Sequence, residues 1–102
     1  MRKKGRRAEN IRRRQLHKIL DLVLDISGMQ ENEDDYPTAY LFLSGYTGAV
    51  DVDIYRSDLS ADLGFPEVKI EGMFRSGSSV YPHRSLSTMI ETLKAEKGRY
   101  QK

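Results

Sequence analysis

The sequence predicts an α+β domain of order α-β-β-β-α: a three-stranded antiparallel sheet with two helices packed on one face and a flexible basic N-terminal arm. Three observations lead there. Apolar residues recur at helical spacing near both ends of the chain. Three strand-like runs lie between them. The first two runs are joined by four residues, a connection short enough only for a hairpin.

Residues 1–7 (MRKKGRR) hold no apolar side chain beyond Met1 and carry a glycine in their middle, which reads as a mobile arm. The domain proper is expected over residues 8–102. Its first helix is expected over residues 8–27, where Ile11, Leu16, Ile19, Leu20, Val23 and Ile26 recur at spacings of three to five. Leu22 and Leu24 widen that stripe, so the second half should be well buried. Gly28 stands where a left-handed C-terminal cap would. The helix carries its charge against its own dipole, with Arg12, Arg13 and Arg14 near the positive end and Asp21 and Asp25 towards the negative one.

An acidic loop, residues 30–35 (QENEDD), precedes Pro37, which holds Tyr36 extended. The first strand, residues 38–44 (TAYLFLS), is apolar on both faces. The second, residues 49–56 (AVDVDIYR), alternates Val50, Val52 and Ile54 with Asp51, Asp53 and Tyr55. Gly45 and Gly48 in the connecting GYTG are available for positive φ in the hairpin. The third strand, residues 67–75 (EVKIEGMFR), alternates again, with Val68, Ile70 and Phe74 inward. A helical turn is expected at residues 58–63, a loop at residues 76–79 (SGSS) and a short edge pairing at Val80 and Tyr81. The last helix is expected from Ser85 as N-cap, with Leu86, Met89, Ile90 and Leu93 at i, i+3, i+4, i+7 and with Gly98 ending it.

Composition sets bounds on this domain. Leu, Ile, Val and Phe number 24 of 102 residues, enough for one modest core with a stability of about 5 kcal/mol. No cysteine is present, so disulfide and thiolate chemistry are excluded; the cytoplasm is the expected location. No apolar run approaches the roughly 20 residues that span a bilayer, and no apolar stretch stands behind the first basic residues as in a secretory signal. The net charge of +2 conceals a strong segregation. Residues 1–18 carry nine Lys or Arg and one Glu, residues 19–66 carry ten Asp or Glu and only Arg56, and residues 67–102 carry seven basic and four acidic side chains.

Catalytic chemistry finds little support. His17 and His83 have no partners at ligand spacing, and the His17–Asp21 pair at i, i+4 reads as a surface contact. Asp51 and Asp53 share a strand face without a third group to make them an acid–base pair. The glycines form no phosphate loop. No catalytic residue, metal site or cofactor is expected.

Two kinds of binding surface remain. The first is basic: Arg2, Lys3, Lys4, Arg6, Arg7, Arg12, Arg13, Arg14 and Lys18 would contact the phosphates of DNA or RNA, or of another polyanion, with Lys94, Lys97, Arg99 and Lys102 extending the patch. The alternative is a solubilising terminus. The second surface is the outer sheet face, where Tyr40, Phe42, Asp51, Asp53 and Tyr55 would form a protein interface. Its alternative is that the arm or the acidic loop covers these aromatics.

The order α-β-β-β-α resembles that of double-stranded-RNA-binding domains over about residues 8–97. That resemblance implies two helices on one face of a three-stranded sheet. Those domains open their second helix with a basic KKxAK-like cluster, whereas the matching stretch here, residues 83–89 (HRSLSTM), offers only His83 and Arg84. Small cysteine-free chains with sorted charge also resemble accessory proteins of phages and mobile elements. Some of those imitate a nucleic-acid backbone with an acidic surface, a role that Glu31, Glu33, Asp34, Asp35, Asp51, Asp53, Asp58 and Asp62 would fill. The partner is therefore expected to be nucleic acid or protein, not a membrane.

Overall fold

A computed structural model describes residues 2–27, 37–56, 62–75 and 82–100. Helix α1 (Arg2–Ser27) is followed by strands β1 (Thr38–Ser44), β2 (Ala49–Tyr55) and β3 (Val68–Met73), and then by helix α2 (Pro82–Tyr100). The strands form an antiparallel sheet in the order β1-β2-β3. The order and the sheet are those the alternating pattern predicts. The acidic loop, Gly28, residues 57–61 and the segment from Ser76 to Tyr81 lie outside the described residues.

Both helices lie on one face. Val50, Val52 and Ile54 of β2 and Ile70 of β3 are buried against Ile19, Leu22, Val23 and Ile26 of α1 and against Leu86, Met89 and Leu93 of α2. α1 runs over β1, α2 runs over β3, and the two helices meet above β2. Gln15 Nε2 donates to Ser87 Oγ at 3.0 Å, and Lys97 Nζ donates to Asp25 Oδ2 at 2.9 Å. Both pairs are 72 residues apart in sequence, so the helices run parallel and in register. Gly72 of β3 lets α2 pack closely on the sheet: a Cβ there would run into the Met89 sulfur.

Several boundaries differ from expectation. α1 begins at Arg2 rather than at Ala8, so the basic residues expected in a separate arm continue its helical turns. Arg and Lys lose little rotamer freedom in a helix, and a helix already nucleated by its packed half extends readily; Gly5 opposes this by only about 1 kcal/mol. By the 72-residue register, residues 2–9 project beyond the start of α2, an overhang of about 12 Å at 1.5 Å per residue. α2 begins at Pro82, three residues before the expected cap, because proline presets the φ of a first helical turn. Ser85 therefore caps nothing, and its hydroxyl accepts the Met73 amide at 2.9 Å instead. Gly98 lies inside α2, which continues to Tyr100. Ile11, Leu20 and Leu24, counted in the apolar stripe of α1, are exposed. β2 and β3 each stop short of Arg56 and Arg75.

The joints between elements are polar. Ser27 Oγ accepts the Ala39 amide at 3.0 Å, tying the end of α1 to β1. Gly48, with φ of 73°, closes the β1–β2 turn through its amide, which donates to the Ser44 carbonyl at 2.9 Å. Of the helical turn expected at residues 58–63, Asp62 and Leu63 are helical and residues 58–61 lie outside the described residues.

Candidate functional site

The basic residues of α1 divide by azimuth. At 100° per residue, Arg7, Arg14 and Lys18 share one stripe, Arg13 stands beside it and Arg12 turns towards the sheet. Arg7, Arg13, Arg14 and Lys18 are exposed, whereas Arg12 is half-buried. Arg13 NH2 donates to Glu9 Oε1 at 2.9 Å. Arg7, Arg12, Arg14 and Lys18 have no ion pair among the described residues. The side chains of Arg2, Lys3, Lys4 and Arg6 lie outside the described residues.

A residue that the sequence pattern does not single out for this surface joins it. Arg75, just past β3, lines a groove with Glu9, Arg12, Arg13, Leu16 and Phe74. Its NH1 donates to the Tyr46 carbonyl at 3.1 Å, so the β1–β2 turn is fastened to the same end of the molecule. Tyr46 is 93% exposed. One end of the domain thus gathers guanidinium groups from α1 and from the end of β3 beside a bare aromatic ring. Two signals pointed there in the sequence: an aromatic inside a four-residue glycine turn, and a basic residue directly after a strand. Neither specifies the junction without the fold.

On the outer sheet face, the five residues expected to form an interface do share one surface. Tyr40 and Phe42 are 51% and 54% exposed, so nothing among the described residues covers them. The Tyr40 and Tyr55 rings meet edge to face, with centroids 5.6 Å apart at 86°. In the register, Asp53 stands between Tyr40 and Lys69, and Asp51 between Phe42 and Glu71. One Asp53 carboxylate oxygen is buried without a hydrogen-bond partner among the described residues, while Asp51 and Glu71 oppose each other as like charges.

Elsewhere the charged chemistry is structural. Arg56 and Glu96 form a two-point ion pair at the far end of α2. Among the described residues no three His, Cys, Asp or Glu side chains gather as a metal-binding group, and no helix is long and apolar enough to cross a membrane. His17 and Asp21 line a shallow groove with Asn10, Arg13, Arg14 and Lys18.

No family model, curated protein or solved structure matches the chain, so these surfaces are read from their own chemistry.

Proposed function

We propose that this protein binds nucleic acid through the end of the domain where the basic half of α1 meets the β1–β2 turn. The observation that carries this reading is the junction of Arg12, Arg13 and Arg75 in one groove, with Arg75 holding the turn that presents Tyr46. Guanidinium groups contact phosphates and release counterions, and an exposed tyrosine ring offers a stacking platform for an unpaired base. The overhanging turns of α1 bring Arg7 to the same end and extend the track along a backbone. Asp51 and Asp53 lie on the outer sheet face, away from that groove.

Fluorescence anisotropy with labelled single-stranded RNA and duplex DNA tests the proposal, comparing the full chain with one that starts at Gln15. Binding should fall by orders of magnitude between about 50 and 200 mM salt and should require residues 1–14. Affinity that ignores salt, or survives that truncation, would overturn it.

A protein-binding role for the outer sheet face is the second reading, favoured by the half-exposed Tyr40 and Phe42. Tyr40→Ala and Phe42→Ala would then abolish partner capture while leaving the fold intact.

A further inference from the structure

The outer sheet face carries two local electrostatic costs, and both come from an excess of carboxylate. Asp51 lies directly opposite Glu71 across the β2–β3 pair, which sets two like charges on Cβ atoms about 5 Å apart. Asp53, two residues along β2, keeps one carboxylate oxygen buried and without a hydrogen-bond partner among the described residues. Lys69 stands opposite Asp53, yet it is exposed and makes no ion pair among the described residues. Three carboxylates thus share this face with one unpaired ammonium group. A positive charge brought onto the face relieves the repulsion between Asp51 and Glu71 and offers the Asp53 carboxylate a donor. A nucleic-acid backbone is repelled by the same three groups.

The rings stand beside these carboxylates. Tyr40 pairs with Asp53 and Phe42 with Asp51, so each acid on β2 has an aromatic neighbour about 5 Å away on β1. Both aromatic residues are half-exposed, and the Tyr55 ring meets Tyr40 edge to face. A carboxylate next to an open ring suits arginine. Its planar guanidinium forks a carboxylate with its N–H edge and stacks its face on a ring, whereas the lysine ammonium is a strongly hydrated point charge.

We infer that the outer sheet face docks an arginine-bearing segment of a protein partner, with guanidinium groups seated between the β1 rings and the β2 carboxylates. The inference rests on the second reading above, that this face binds protein, and names the chemistry of the partner. Asp51 and Asp53 lie about 7 Å apart along β2, which is also the spacing of alternate side chains in an extended chain. Two arginines separated by one residue therefore reach both acids.

An arginine–serine repeat peptide is the probe, titrated into the full chain at about 50 mM salt and followed by amide NMR. The largest shifts should fall on Tyr40, Phe42, Asp51 and Asp53. A lysine–serine peptide should bind about 3-fold more weakly, and a citrulline–serine peptide, which keeps the shape without the charge, about 10-fold more weakly. Asp51→Asn combined with Asp53→Asn, and separately Phe42→Ala, should each weaken the arginine peptide about 10-fold. Lys69→Gln removes the competing cation and should tighten binding about 3-fold, a gain that misfolding does not produce. Equal binding of the lysine peptide overturns the guanidinium, and equal binding of the citrulline peptide overturns the charge; either result spares the protein-binding reading. Shifts confined to residues 30–35, or no shift at all, overturn the inference. Concentration-dependent shifts on this face without peptide, absent from a chain that starts at Gln15, make the occupant a second copy and overturn the separate partner. Shifts on this face with single-stranded RNA in place of the peptide overturn both the inference and the reading beneath it.

Discussion

Arg56 holds Glu96 across 40 residues of sequence by two parallel hydrogen bonds, Nε to Oε1 at 2.8 Å and NH2 to Oε2 at 3.0 Å. Glu96 is buried on α2 and Arg56 is half-buried just past β2, so the pair fastens the C-terminal part of α2 to the central strand.

Removing one partner strands the other in a site poor in water. Arg56→Met should lower the unfolding free energy by about 2–3 kcal/mol, measured by urea titration. Arg56→Met combined with Glu96→Met should cost less than Arg56→Met alone, because no charge is then left uncompensated. Additive losses would show that the two residues act separately.

Gly72 and Met89 should be energetically coupled. Gly72→Ala forces a methyl group into the Met89 sulfur and should cost about 1–3 kcal/mol. Met89→Ala opens a cavity and should cost about 2–4 kcal/mol. Together the added methyl group occupies part of the space the sulfur leaves. A double-mutant cycle should therefore give a combined loss smaller than the sum.

Ser27→Ala leaves the Ala39 amide without its acceptor. The expected loss is about 1 kcal/mol, with faster hydrogen exchange at Ala39 than at Val52 in the sheet centre. Unchanged exchange at Ala39 would mean that water replaces the hydroxyl at no cost.

Tyr46 and Arg75 should separate the two components of nucleic-acid binding. Tyr46→Ala should weaken single-stranded RNA by about 5- to 100-fold and duplex DNA far less, since only an unpaired base can stack. Arg75→Ala should weaken both and reduce the salt slope by about one. Equal loss on both ligands with Tyr46→Ala would remove the stacking role.

The element order was legible because it depends on local periodicity. Val50, Val52 and Ile54 announce β2, and Leu86, Met89 and Leu93 announce α2, whatever surrounds them. The five outer-face residues were legible for the same reason, since a period of two places Tyr40, Phe42, Asp51, Asp53 and Tyr55 on one surface once the sheet is granted. What periodicity could not show is how far each helix reaches sideways across three strands. Leu20 and Leu43 belong by spacing to the inward set, yet they lie at an edge that α1 only partly covers. Pairings such as Arg56 with Glu96, or Arg75 with the Tyr46 carbonyl, join segments 40 and 29 residues apart and leave no local trace. Ser85 shows a subtler limit: it looks like a cap, but the preceding Pro82 has already started the helix.

The parallel pairing of α1 and α2 also sets an order of events during synthesis. Ile19 and Leu22 near one end of the chain share a core with Leu86 and Leu93 near the other, and the core stays open on one side until the later helix arrives. When β3 has emerged from the ribosome and α2 has not, the meander stands with half of its apolar face uncovered. Folding must wait until α2 leaves the exit tunnel, and a nascent chain stalled before Pro82 should remain open to proteases that the finished domain resists.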